Sequence, residues 1–327
     1  MNNKTTIRIL GASIAALGLA FVQPLLAQSY PSKPVHVIVP FAPGSVLDIL
    51  ARLVGEKMAA SFGQPVLVDN RAGAGGRVGA EQLTHSAPDG YTILFTSSGA
   101  IVGGAFLVKG LPYDILKDFT PIVAGASPVD CLIVNAALPV NSAKELIEYA
   151  RRNPGKLAYG SNGIGSTFHM VGEVIKQVAG INMLHVPFQG APEQTNALIT
   201  GQIQVGFNAY SVARTQSNAG KVKLLAVLRD QRYAGAPGVP TLSEALPGYR
   251  SLPNWFGYFG PAGLPQPVTA RLNAEIVKGL RTPEVLAKVD QLGLIALGDS
   301  PEQFAALVRT SYDLYGKAVK AAKLQPQ

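Results

Sequence analysis

The passage Val35-His36-Val37-Ile38-Val39-Pro40, then Phe41-Ala42-Pro43-Gly44-Ser45-Val46-Leu47, then residues 48–62, decides the fold. The first six residues form a short apolar run closed by proline, the pattern of a buried strand. The next seven carry Pro43 and Gly44 and read as a loop. From Asp48 onward Ile49, Leu50, Leu53, Val54, Met58 and Phe62 recur at helical spacing along one face, and Gly63-Gln64-Pro65 stops them. Strand, loop and helix then repeat. Residues 66–68 predict a second strand. Gly73, Gly75, Gly76 and Gly79 mark a tight loop before a helix running to about His85. Pro88-Asp89-Gly90 is a turn, and 91–95 a third strand with Thr96, Ser97, Ser98 and Gly99 at its end.

The middle third has the same character. Strands are expected at 132–134, 157–159, 185–187, 203–207 and 224–227, and helices at 142–152, 167–179 and 193–200. Ser142 with Glu145 three residues on predicts a capping box. Residues 237–253, rich in Pro and Gly, read as a crossing or hinge. A strand at 255–259 and helices at 266–279 and 301–322 return to the first domain. Alternating strands and helices predict an α/β fold with parallel sheets, doubly wound in two domains joined by a hinge. A chain of 327 residues suits two domains. We expect residues 28–128 with 252–327 in one and 129–251 in the other.

Residues 1–27 read as a secretory signal peptide: basic Lys4 and Arg8, a short apolar stretch at 9–22, and Ala27 before the cleavage point. No later stretch is apolar for long enough to span a bilayer. The mature chain is therefore expected outside the cytoplasm, with no membrane insertion. Apolar residues make up 47% and charged residues 15%, enough for buried cores and too few charges for disorder. The formal charge of +8 is scattered, with no basic run interleaved with aromatics, so nucleic acid is not an expected partner. The single cysteine, Cys131, sits in the apolar run 129–134 and reads as a buried thiol.

Several chemistries lack their residues. His36, His85, His169 and His185 form no metal-ligand pair, so neither metal nor cofactor is expected. Ser166 and His169 leave a secreted Ser/His hydrolase as a lesser alternative, but their spacing fits a helix cap and a helix-face residue better than a catalytic dyad, and no G-x-S-x-G elbow exists. The glycines of 73–79 fit neither dinucleotide nor P-loop spacing. What remains is a set of polar, glycine-containing loops at 43–48, 96–99, 160–167 and 188–192, several leading into predicted helices. In doubly wound sheets ligands bind beyond the carboxyl ends of the strands, where helix N-termini offer unpaired N–H groups to an anion. The candidate ligand contacts there are Gly44, Ser45, Asp48, Ser97, Ser98, Ser161, Asn162, Ile164, Gly165, Ser166, Thr167, Phe188, Gln189 and Gly190.

Pro40-Phe41-Ala42-Pro43-Gly44 with Asp48 and Arg52, Val68-Asp69-Asn70-Arg71-Ala72-Gly73, and Ala87-Pro88-Asp89-Gly90-Tyr91-Thr92 resemble the N-terminal signature of the tripartite tricarboxylate transporter substrate-binding receptors, the Bug proteins. Tyr159-Gly160-Ser161-Asn162-Gly163, His185-Val186-Pro187-Phe188-Gln189-Gly190 and Trp255-Phe256-Gly257 continue the resemblance across the mature chain. It implies a type II periplasmic-binding-protein fold that closes on a small organic acid. It also implies membrane transporter subunits as partners, or a signalling protein, and adds Phe41 and Asn208 to the candidate contacts. A monomer suits such closure. In this family carboxylates are gripped largely by backbone amides near the position of Gly44. Three departures stand out: Gly44-Ser45 replaces a Gly-Gly pair, Phe188-Gln189-Gly190 lacks the usual cation, and Asn208 stands where an acid is common. Ser45 adds a hydroxyl donor or narrows the pocket, and the missing cation and acid together point to a ligand with a less charged second end, a monocarboxylate or aromatic acid.

Overall fold

A computed structural model of the chain describes residues 30–164, 166–321 and 324–326. The expected signal peptide and Gly165 lie outside the described residues.

The opening passage folds as β1 (Val35–Val39) and α1 (Val46–Phe62). Ser45 caps the helix, its Oγ accepting from the Asp48 amide at 3.3 Å, and Gly63 ends it at φ +65°, a left-handed conformation that suits glycine. Leu50, Val54 and Met58 are fully buried on its inner face, each contributing about 2 kcal/mol of apolar burial. There follow β2 (Val66–Asn70), a glycine turn, α2 (Arg77–Thr84) and β3 (Thr92–Ser97). A helical segment at 99–107 ends in α3 (Gly104–Leu107). β4 (Phe119–Pro128) then passes through Val129 into β5 (Asp130–Asn135) of the second lobe.

That lobe continues through α4 (Ala143–Arg152), β6 (Ala158–Ser161), α5 (Thr167–Ala179), β7 (Leu184–Pro187) and α6 (Ala191–Ile199). It closes with β8 (Val205–Ala209), α7 (Tyr210–Asn218) and β9 (Val222–Val227). After a return segment holding α8 (Leu242–Ala245), β10 (Phe256–Pro261) rejoins the first sheet. The chain finishes with α9 (Gln266–Leu280), α10 (Pro283–Gln291), β11 (Leu294–Ala296) and α11 (Pro301–Ala321).

The first sheet has the order β11-β4-β10-β3-β1-β2, the second β7-β6-β8-β5-β9. The expectation of parallel sheets needs correction, because both are mixed. β1 is parallel to β2 and β3, but β10 runs antiparallel to β3 and β4. In the second sheet β6 is parallel to β7 and β8, while β5 is antiparallel to β8 and β9. The reason lies in the crossings. Parallel neighbours need a crossover within one lobe. β4 leaves the first lobe where β10 re-enters it, and β5 enters the second where β9 leaves it. Chain going out beside chain coming back is necessarily antiparallel.

The predicted capping box at Ser142 forms by half. Ser142 Oγ accepts from the Glu145 amide, while the Glu145 carboxylate takes the Asn141 amide instead. The two crossings are tied together. Ser127 Oγ donates to Asn254 O at 2.8 Å, Asn254 Nδ2 donates to Asp130 Oδ2 at 2.6 Å, and the Leu228 amide donates to Asp130 O at 2.8 Å. Among the described residues no helix is long and apolar enough to cross a membrane.

Candidate functional site

Between the lobes lies a cavity of about 540 Å³. The first lobe lines it with Phe41 and Val46 before and within α1, with Ala74, Gly75 and Arg77 at the start of α2, and with Ser97, Gly99 and Ala100 after β3. The second lobe contributes Asn162, Ile164, Ser166, Thr167 and Phe168 around the start of α5, and Asn208 and Ala209 before α7. Pro128, Asp130 and Asn254 form its floor at the crossings. Ala191, the first residue of α6, lines it as well, so α1, α2, α5, α6 and α7 all begin at this space, and the first N–H groups of a helix have no acceptor within it. Apart from Arg77 and Asp130 the walls are neutral and largely apolar, with Leu107, Val108, Phe256, Leu292 and Leu294 among their apolar residues.

The start of α5 is open to the cavity. Ser166 Oγ accepts from the His169 amide at 3.3 Å, so Ser166 and His169 relate as cap and helix residue. Thr167 and Phe168, the first two residues of α5, line the cavity. Thr167 also meets the other lobe: a Cβ placed on Gly99 would lie 2.6 Å from Thr167 Oγ1, and Tyr315 Oη of α11 lies 3.4 Å from the same oxygen. The absence of a side chain at position 99 is what lets the lobes approach here.

The start of α1 is built differently. Asp48 is buried and turns back to its own helix start, where Oδ2 accepts from the Gly44 amide at 2.8 Å. Its Oδ1 accepts from Arg52 Nε at 3.0 Å and Asn70 Nδ2 at 2.9 Å. Burial alone would raise this carboxyl, but the hydrogen bonds from Arg52, Gly44 and Asn70 outweigh it and hold it below the usual range. The Gly44 amide is therefore already engaged, and Gly44, Ser45 and Asp48 lie off the cavity wall.

The other candidates divide similarly. Phe41, Ser97, Asn162, Ile164, Ser166, Thr167 and Asn208 line the cavity. Ser98 is fully buried behind it, donating to Asn254 Oδ1 and accepting from the Trp255 amide. Ser161 is fully buried too, its Oγ sharing a 2.7 Å hydrogen bond with His185 Nε2. His185 stacks on His169 with ring centroids 3.9 Å apart, and burial followed by that neighbour pushes it down to about 4. With the hydroxyl sealed from solvent, this serine–histidine contact is part of the packing. Phe188 packs against the core of the second lobe, while Gln189 and Gly190 lie outside the cavity wall. Asn208 is buried, donating from Nδ2 to Thr195 Oγ1 at 2.7 Å. Cys131 is fully buried and free, with burial raising its thiol well above the usual range. Among the described residues no group of three or more metal-ligating side chains assembles.

Sequence reasoning missed Arg77, Asp130 and Asn254. Arg77 opens α2 directly after the glycine turn, where Nε donates to Ala74 O at 3.0 Å; a cation at a helix start was its signal. Asp130 interrupts an apolar strand, and an acid in a buried pattern is the clue that the run around Cys131 offered. It is 7% exposed, and desolvation raises it to about 6 against the hydrogen bond from Asn254 and the field of Arg229. A second cavity of about 360 Å³ shares Pro128, Asp130, Thr167 and Asn254 with the first.

The two mixed sheets, the double crossing and the interlobe cavity define a two-lobed α/β solute-binding protein. The family model described as tripartite tricarboxylate transporter family receptor matches residues 50–324. The protein BugT of Bordetella pertussis is 31% identical over 330 residues, covering 99% of this chain and 100% of BugT. Among solved structures, R. palustris Rpa4515 with adipate superposes with a TM-score of 0.80 at 30% identity, covering 91% of this chain and 100% of that one. The periplasmic binding protein BugD gives 0.76 at 32%, covering 91% and 100%. The chain belongs to the tripartite tricarboxylate transporter receptor family, as its sequence motifs suggested.

Proposed function

We propose that this chain is a periplasmic receptor that holds one small carboxylate between its lobes and delivers it to tripartite tricarboxylate-type membrane partners, without covalent chemistry. The single observation that carries this reading is the interlobe cavity at which helices from both lobes begin. A carboxylate there accepts from the Thr167 and Phe168 amides of α5 and gains from the dipoles of the surrounding helices. Arg77 supplies a full positive charge on the opposite lobe. The apolar walls suit a monocarboxylate or aromatic acid, and the adipate complex of a relative supports an acid with a hydrocarbon body. Phe41, Ser97, Asn162, Ile164, Ser166, Thr167 and Asn208 are the proposed contacts.

Closure moves residues 28–128 with 252–327 against 129–251, hinged at Val129 and near Leu252. Ligand binding to the closed form alone stabilises the fold by about 2.7 kcal/mol at a hundredfold excess over Kd. A thermal-shift screen of aliphatic and aromatic acids on the mature protein tests the reading. A raised melting midpoint with a smaller scattering radius is expected. A flat response to every acid would sink it.

A further inference from the structure

The floor of the cavity holds a carboxylate with an unfilled place. Asp130 is more than nine-tenths buried, yet only one of its oxygens has a donor: Oδ2 takes Asn254 Nδ2 at 2.6 Å. Among the described residues Oδ1 has no hydrogen-bond donor, and no ion pair reaches this side chain. Arg229, the cation whose field it feels, spends Nη1 on Ser127 Oγ at 3.2 Å. A carboxylate has about four acceptor sites, and Asp130 lines the cavity, so a donor held in that space can reach it. Asn254 needs only an acceptor, which a neutral amide would also supply, while the charge of Asp130 partly offsets the half-buried Arg229.

From this geometry we infer that Asp130 is a specificity-determining residue, its free oxygen accepting a hydrogen bond from a hydroxyl or ammonium group carried by the bound acid. This deepens the receptor reading and rests on it. The ligand then has two unlike ends: a carboxylate for the helix N-termini and Arg77, and a donor for Asp130. Asn254 fixes the rotamer of Asp130 and, through the hydrogen bond from Ser127 to its carbonyl, ties that rotamer to the two crossings. A second carboxylate on the ligand would meet Asp130 as a like charge and be rejected.

The test is calorimetry at pH 7.5 on the mature protein with matched pairs: γ-hydroxybutyrate and butyrate, ε-aminocaproate and caproate, para-hydroxybenzoate and benzoate, with adipate as the diacid. At least one donor-bearing acid is expected to bind on the order of tenfold or more tighter than its parent, since a site built for a donor discriminates strongly against its loss. The hydroxyl and ammonium arms identify which donor is preferred. D130N keeps the acceptor for Asn254 but turns an N–H₂ toward the ligand. It should lose that preference and gain affinity for adipate. D130L, which removes the acceptor altogether, should also erase the preference. Acids that bind wild type and D130N with the same order of preference would overturn the role of Asp130 and leave the receptor reading standing. If no acid of the panel bound wild type, both would fall.

Discussion

Two helix starts face each other across the cleft, and they solve one electrostatic problem in opposite ways. α1 begins Ser45-Val46-Leu47-Asp48, and α5 begins Ser166-Thr167-Phe168-His169. In both, the serine hydroxyl accepts from the amide three residues on at 3.3 Å. In α1 the third residue is an acid, and its carboxylate bends back to the Gly44 amide, so the positive end of the helix is neutralised by the protein itself. In α5 the third residue is a histidine that burial keeps below its ordinary pKa and thus neutral near pH 7. It returns no anion to the helix start, and among the described residues no acceptor is seen for the amides of Thr167 and Phe168, which the proposed reading gives to the ligand. The local pattern is nearly the same, but one start is structural and the other is available for binding.

This contrast is open to direct attack, and the largest expected effect is steric. Gly99→Val places a side chain where even a Cβ lies 2.6 Å from Thr167 Oγ1, wedging the lobes apart at the start of α5. Position 99 has no left-handed backbone demand, so folding should survive. Calorimetry should show affinity falling by a thousandfold or more, about 4 kcal/mol, with the melting midpoint of the unliganded protein nearly unchanged.

Asp48→Ala strikes the other helix start. It strips an acceptor from the Gly44 amide, Asn70 and Arg52, and should destabilise the fold by about 3 kcal/mol in urea titrations, a figure reduced because Arg52 is half exposed. The folded-state pKa of Asp48 is depressed, so its stabilisation is present above the ordinary carboxylate range and lost as pH falls through the folded value. The variant should show a shallower acid limb. Equal stability of variant and wild type at pH 7 would refute the closed-circuit picture of α1.

Asp130 has the opposite sign. Its folded pKa of about 6 lies above the ordinary value near 4, so the fold is penalised as pH rises from about 4 to 6, and fully above that. D130N should therefore be more stable than wild type by about 2–3 kcal/mol at pH 7.5. The gap should close as pH falls to 4. A variant that gains stability while losing ligand discrimination marks a group retained for binding. A gap that stays constant with pH would contradict it. The smallest effects belong to the caps. Ser45→Ala and Ser166→Ala should each cost about 1 kcal/mol of stability, but only the second should weaken binding, since only its helix start receives the ligand. Equal losses of affinity would erase the distinction between the two helices.

Much of this was legible in the chain itself. Short strands, the helix stop at Gly63, the Ser142 and Ser166 caps and the glycine loops are local features, set by backbone sterics and by side chains within a few residues of each other. For the same reason β4 was invisible: Phe119-Thr120-Pro121-Ile122-Val123-Ala124-Gly125-Ala126 has neither clear alternation nor a bounded apolar run, and it is a strand because β10 and β11 pair with its two edges. The short α10 likewise went unread, as its burial depends on α1 and α9.

The sequence alone determined the α/β alternation and which loops carry donors, because those depend on periodicity and on residue chemistry. Tertiary structure alone decided that Gly99 meets Thr167 across the cleft and that Asp130 and Asn254 share the cavity floor. The last pair is 124 residues apart. No local rule links such positions; only the path of the chain out of one lobe and back again brings them within a hydrogen bond.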